Sequence, residues 1–229
     1  MIDWHSHILP AVDDGSRNAE ESIKLLELLA EQGVKTVVAT PHFIADNESV
    51  EDFLRRRSSS FNELKKSYSN SIPQILLGAE VKYYSGVSRL EGLKELCIEN
   101  SRLLLLEMPI AAWTEYTVRE LTQIATAKNL VLILAHVERS LKYQSKKTMQ
   151  RLIEAGILMQ FNASFFIEAR TRRKALSLLK NGYIQFLGSD CHNLNERAPK
   201  IGKAFEIIKN KFGEEFVCRL NEYGKSALV

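Results

Sequence analysis

Along the chain, short apolar runs alternate with longer stretches in which apolar residues recur every three or four positions. The short runs predict seven strands, over residues 1–4, 35–40, 75–79, 103–106, 130–135, 157–161 and 184–187. Between them, Asn18 and Glu21 have the spacing of a capping box. Ile23, Leu26 and Ala30 then share one helical face, and Gly33 ends that helix. Further helices are expected over 49–68, 115–128, 146–154, 165–180, 198–211 and 214–222. Strands that alternate with helices predict a parallel sheet, and about seven such units favour a barrel over an open sheet. No linker or low-complexity tract interrupts the pattern, so residues 1–229 are read as one α/β domain.

Composition narrows the function classes. The 229 residues are 45% hydrophobic and 26% charged, ordinary values for a soluble domain that buries a real core. A net charge of +3 and a pI near 8.7 are too weakly basic to argue for nucleic acid, although they suit an anionic substrate. Cys97, Cys191 and Cys218 have no regular spacing and do not read as a disulfide framework. The opening segment is not a secretory signal, and no apolar run approaches the length of a membrane span. A cytoplasmic protein without membrane insertion is the expectation.

The histidines change the picture most. There are five, His5, His7, His42, His136 and His192, and each lies just beyond the end of a predicted strand. Glu80 ends the third strand in the same way, and Asp190 lies between the last strand and His192. In parallel α/β barrels the C-terminal strand ends converge on one face, where chemistry is done. A lone histidine after a strand is usually a satisfied polar residue; five at equivalent ends are not explained that way. In His5-Ser6-His7 the alternate residues of an extended segment face one side, so both imidazoles reach one ion. A mixed imidazole and carboxylate set suits Zn, Mn or Fe better than Ca or Mg. Eight candidates (His5, His7, Asp14, His42, Glu80, His136, Asp190 and His192) are too many for one ion, so two or three are implied. Clustered ions suit phosphoester hydrolysis.

The run Ile2-Asp3-Trp4-His5-Ser6-His7-Ile8-Leu9-Pro10 with Asp13-Asp14-Gly15 resembles the start of the PHP (polymerase and histidinol phosphatase) superfamily. Thr40-Pro41-His42, Gly78-Ala79-Glu80, Ala135-His136-Val137-Glu138-Arg139 and Ser189-Asp190-Cys191-His192 resemble its later motifs, in order. Within it, the chain most resembles the CpsB/YwqE-type tyrosine-protein phosphatases of bacterial capsule and exopolysaccharide operons. That resemblance implies a distorted seven-stranded α/β barrel with three metal ions, usually manganese or iron. It implies that His5, His7, Glu80 and Asp190 hold the first ion. Glu80 would bridge to a second, held also by His136, while Asp14, His42 and His192 hold the third. It also implies that Arg139 and Arg197 grip the phosphate, for which a guanidinium is suited. The implied substrate is phosphotyrosine on a protein, the tyrosine-rich C-terminal tail of a bacterial tyrosine autokinase.

The chain departs from that pattern at Ala11, where glycine is common, and at Val137, where proline is common. Cys191, between two candidate ligands, is read as a packed thiol and not as a nucleophile. Tyr83 and Tyr84 either line the pocket or pack in the core. The runs 55–57 and 170–174 are read as solvated helix faces, with a basic collar for an acidic peptide as the sharper reading. Three rival functions remain: a histidinol-phosphate or other small phosphomonoester phosphatase, a nuclease-type phosphodiesterase, and a binding module without catalysis. The amphipathic surface helices permit a homo-oligomer.

Overall fold

The computed structural model describes residues 1–67, 72–127 and 129–228. Tyr68 and Lys128, the expected ends of two helices, lie outside the described residues. Among those described there are nine strand segments. They are β1 (Ile2–Ser6), β2 (Thr36–Ala39), β3 (His42–Phe43), β4 (Gln74–Leu77), β5 (Glu80–Lys82), β6 (Leu103–Glu107), β7 (Val131–Leu134), β8 (Leu158–Asn162) and β9 (Phe186–Gly188). The named pairs are all parallel, in the orders β1-β2-β4 and β3-β5-β6-β7-β8-β9.

Each of the seven predicted strands is present. The two extra segments, β3 and β5, are short continuations beyond breaks at Pro41 and at Gly78-Ala79. Proline has no N–H to give to a ladder and interrupts the first. Pairing resumes across both breaks, where Gly78 N donates to Ala39 O at 2.8 Å and Glu80 N to Pro41 O at 3.0 Å. The Gly78 carbonyl turns aside and accepts from the buried Arg57 Nη1 at 2.7 Å. The run 55–57 is therefore not a uniformly solvated face: Arg57 is buried at this break, Arg56 pairs with Glu48, and only Arg55 and its partner Asp52 lie fully at the surface.

The helices are α1 (Ala19–Glu31), α2 (Val50–Lys65), α3 (Glu115–Ala127), α4 (Lys146–Glu154), α5 (Ala163–Ile167), α6 (Ala169–Lys180), α7 (Ile201–Phe212) and α8 (Glu214–Ala227). Asn18 caps α1 by accepting from Glu21 N at 2.9 Å. Glu21 does not complete the box; its carboxylate takes the Arg17 backbone N–H and guanidinium instead. The helix expected over 165–180 is split at Glu168, whose backbone is extended. Arg172 stabilises the split by donating to Ile167 O at 2.6 Å and Phe166 O at 3.1 Å. α7 starts at Ile201, later than expected, because Pro199 disfavours helical geometry at the residue before it.

Both faces of the strands are covered, as parallel sheets require. One cluster gathers Ile2 and Trp4 of β1, Val38 of β2, Leu103 and Leu105 of β6, Ile133 of β7 and Phe186 of β9. Trp4 stacks on Phe186 at 4.0 Å. Gly224 lets α8 approach this stack, since a Cβ there would lie 3.1 Å from the Trp4 ring. A larger cluster joins the opposite strand faces to the helices, for example Leu104 and Leu132 to Leu121 and Ile124. Period-two alternation then sets the site. In β6, Leu103 and Leu105 lead to Glu107; in β8, Leu158 leads to Gln160 and Asn162.

Candidate metal centre

All eight sequence-named candidates converge at the C-terminal strand ends. His5 lies in β1 and His7 just beyond it; His42 opens β3 and Glu80 opens β5. His136 follows β7, and Asp190 and His192 follow β9. Glu80 is the hub. Its Oε2 lies 3.2 Å from His5 Nε2, 3.3 Å from His7 Nε2 and 3.0 Å from His42 Nδ1, and its Oε1 lies 2.7 Å from His136 Nε2. Asp190 Oδ1 is 3.7 and 3.5 Å from the Nε2 atoms of His5 and His7. Asp14 Oδ1 lies 3.4 Å from His42 Nε2 and 3.5 Å from His192 Nε2. Four sets of donor atoms each lie within 4.8 Å of one another: His7-Asp14-His42-His192, His5-His7-Asp190, His5-Glu80-His136 and His42-Glu80-Glu107. The cluster is buried except on one side, where Asp14 is 64% exposed.

Two residues of this cluster were not assigned a role from sequence. Glu107 Oε1 lies 3.4 Å from His136 Nε2. Its signal was present, because it ends β6 as Glu80 follows its own predicted strand. Asp13 Oδ2 meets His7 Nδ1 at 2.7 Å and accepts from His42 N at 2.9 Å, while its Oδ1 accepts from Gly15 N at 2.9 Å. Only glycine fits at Gly15, where a Cβ would stand 2.3 Å from His7 O.

The donor set has the character of a cation site. His7 Nδ1 faces a carboxylate and His192 Nδ1 faces the Asp190 carbonyl at 3.0 Å, so both Nδ1 atoms carry the proton. Their Nε2 atoms are left aimed at the cluster. The buried His192 Nε2 has no hydrogen-bond partner, and Glu80 Oε2, with three imidazole nitrogens within 3.3 Å, meets none of them in hydrogen-bond geometry. Such orphaned atoms are costly in a dry interior unless something fills the space between them. Electrostatics agree. Burial opposes charge on His7, but Asp13 and Glu80 outweigh it and raise its pKa to about 10. Burial opposes charge on Asp190 too, yet His5, His7, Arg197 and Arg139 hold it well below the usual carboxylate range. Burial, with His7 and Arg197 nearby, lowers His192 to about 4. Asp190 thus stays ionised, and the carboxylates around His7 favour positive charge in the cluster, which a bound cation would supply.

Arg139 and Arg197 reach the same carboxylate from two loops. Arg139 Nη2 donates to Asp190 Oδ2, and Arg197 Nη2 to Asp190 Oδ1 at 2.7 Å. Their side chains are 35% and 39% exposed, so both also face the open side. Cys191 is fully buried and burial pushes its thiol far up, as a packed residue requires. Tyr83 donates its hydroxyl to Glu120 at 2.8 Å, and Tyr83 and Tyr84 both pack against the larger core cluster. In the run 170–174, Arg172 caps α5 while Arg173 and Lys174 face solvent.

Known proteins are similar to this chain in sequence and fold. The chain is 33% identical to the tyrosine-protein phosphatase CpsB of Streptococcus agalactiae, over 94% of this chain and 92% of that protein. It is 28% identical to the tyrosine-protein phosphatase YwqE of Bacillus subtilis, over 97% and 89%. A crystal structure from work on YwqE of B. subtilis and CpsB of Streptococcus pneumoniae, described as metal-dependent tyrosine phosphatases, superposes with a TM-score of 0.85. That match has 25% identity and covers 100% of this chain and 94% of the other. The family model for capsular polysaccharide synthesis proteins CpsB/CapC matches residues 1–228, and the chain belongs to that family.

Proposed function

We propose that this chain is a metal-dependent phosphatase that hydrolyses phosphotyrosine on proteins. The observation that carries the reading is the buried five-histidine, multi-carboxylate cluster with Arg139 and Arg197 converging on Asp190. Sequence likeness to named tyrosine-protein phosphatases over more than nine-tenths of the chain supports the substrate class.

In this reading His5, His7, Glu80 and Asp190 hold a first ion. Glu80 and His136, with Glu107, hold a second, and Asp14, His42 and His192 a third. Manganese suits the donor set, with iron or zinc as alternatives. Bound ions supply an activated water and neutralise charge on the phosphate. The chain's own residues do the rest. Asp13 fixes the His7 ring, Glu80 ties four imidazoles together, and the two guanidinium groups take equatorial phosphate oxygens. Tyrosinate, with a pKa of about 10, leaves without needing a dedicated general acid.

The strands support a distorted seven-stranded barrel. Beyond β9 the chain pairs back onto β1, where Asp190 N donates to His5 O at 2.8 Å and His7 N to Cys191 O at 2.9 Å. Counting β2 with β3 and β4 with β5 leaves seven staves. A peptide substrate, the tail of a tyrosine autokinase in this reading, suits the open side. Ile110 and Tyr143 are 55% and 41% exposed there. Their loops are joined by a hydrogen bond from Gln144 to Ala111 O at 2.7 Å, and the second loop follows Arg139. A cytoplasmic site of action and a homo-oligomer belong to the same reading. No described helix is long and apolar enough to cross a membrane.

The test compares kcat/KM for a phosphotyrosine peptide, histidinol phosphate and a dinucleotide. A preference for the peptide of at least about 100-fold, or about 2.7 kcal/mol of transition-state discrimination, is expected. A preference for histidinol phosphate would overturn the substrate assignment.

A further inference from the structure

Of the seven staves, β8 alone among the described residues ends without a candidate ligand. Its two C-terminal polar residues on one face, Gln160 and Asn162, are nonetheless buried beside the cluster. Gln160 Oε1 accepts from His136 N at 2.7 Å and meets His5 Nδ1 at 3.1 Å. Gln160 Nε2 donates to Asn162 Oδ1 at 3.0 Å, and Asn162 Nδ2 donates to Asp190 Oδ2 at 2.8 Å.

We propose that Gln160 and Asn162 form an amide relay that presets the metal-facing tautomer of His5 and the orientation of the Asp190 carboxylate. The direction of the relay follows from its two ends. The His136 backbone N–H can only donate, so the Gln160 atom facing it is the oxygen. The ionised Asp190 carboxylate can only accept, so the Asn162 atom facing it is the amide nitrogen. Between those ends the Gln160 amide can only donate to the Asn162 oxygen, which is the observed contact. His5 Nδ1 faces the same Gln160 oxygen and therefore carries the ring proton. Its Nε2 is left as a lone pair, 3.1 Å from His7 Nε2 and 3.2 Å from Glu80 Oε2.

The fold makes room for this arrangement. At Gly188 of β9, a Cβ would stand 2.6 Å from His5 Cβ and 2.8 Å from Gln160 Nε2. Asn162 is held from its other side, where its N–H faces the half-buried Glu138 carboxylate at 3.3 Å. Gln160 and Asn162 are thus positioning residues: they touch His5, His136 and Asp190. Groups of this kind fix ring orientation and commonly change metal affinity 10–100-fold, as an order of magnitude, when removed.

The inference rests on the metal-centre reading, so its test measures binding directly. Mn²⁺ affinity of the metal-stripped full chain is measured by competition with a chelating dye, and the His5 tautomer by ¹⁵N-resolved imidazole spectra. Gln160→Leu is expected to weaken Mn²⁺ binding by about 10–100-fold and to abolish the single Nδ1–H tautomer of His5. Asn162→Ala, which leaves Gln160 in place, is the second variant should Gln160→Leu misfold. It is expected to weaken binding by about 10-fold with the His5 tautomer unchanged. Wild-type affinity in either folded variant would overturn the relay alone. Failure of the wild-type chain to bind Mn²⁺ would overturn the metal centre and the relay together.

Discussion

His5 and His7 point their Nε2 atoms at each other across 3.1 Å. The opposite nitrogens are occupied, His5 Nδ1 by Gln160 and His7 Nδ1 by Asp13. Two facing lone pairs repel unless a proton or a cation lies between them. Mn²⁺ added to the metal-stripped chain is therefore expected to raise its melting temperature. At 100-fold excess over Kd the linked stabilisation is about 2.7 kcal/mol. Mg²⁺, which disfavours imidazole, should do much less. Scanning fluorimetry with each ion and with added chelator checks this; equal shifts from both ions would count against an imidazole-lined centre.

Glu80 lies within 3.3 Å of four imidazoles, whereas Glu107 lies 3.4 Å from one, His136, and 4.0 Å from the Arg139 guanidinium. Glu80→Gln should therefore lower kcat/KM by about 100-fold or more, and Glu107→Gln by about 10-fold. Elemental analysis should show less metal per chain in both. The reverse ranking would mean that Glu80 is not the bridging group.

Arg139 and Arg197 grip one carboxylate from opposite sides and remain partly exposed. Lysine keeps the charge but loses the planar fork. Arg139→Lys and Arg197→Lys are each expected to lower kcat/KM for a phosphotyrosine peptide by about 100-fold, with metal content retained. Loss of metal with unchanged kcat would assign them to the cluster's assembly instead.

Ala11 adopts φ = 54°, a left-handed backbone that favours glycine. A left-handed backbone costs an L-residue about 1–2 kcal/mol, and glycine's extra unfolded freedom returns part of that. Ala11→Gly should stabilise the fold by up to about 1 kcal/mol, read as a higher denaturation midpoint with an unchanged slope.

How much of this was legible in the sequence differs by element. The seven strands were, because buried parallel strands read as short apolar runs. Their breaks were only half legible: Pro41 announces one, but the turn at Gly78 is held by the distant Arg57. The split at Glu168 depends on Arg172 reaching back to two carbonyls, a tertiary contact no local pattern encodes. The five histidines, Glu80 and Asp190 could be named because imidazole is rare and each lies at or just beyond a strand end, while Asp14 lies farther on, in the loop after β1. Glu107 escaped because one glutamate after four leucines is unremarkable until β6 is seen beside β5. Gln160 and Asn162 escaped because amides on a buried strand have no chemical signature of their own. Their meaning comes from facing His5, His136 and Asp190 across the strands.

The central claim is a metal centre built from these side chains that cleaves phosphotyrosine. Its most direct measurement is turnover of a phosphotyrosine peptide by metal-stripped wild-type chain as Mn²⁺ is added back, with bound metal counted at each point. The account predicts no turnover without metal and recovery that saturates at two to three ions per chain, the filling capacity expected of clustered ligands. Full turnover by the metal-free chain would contradict it.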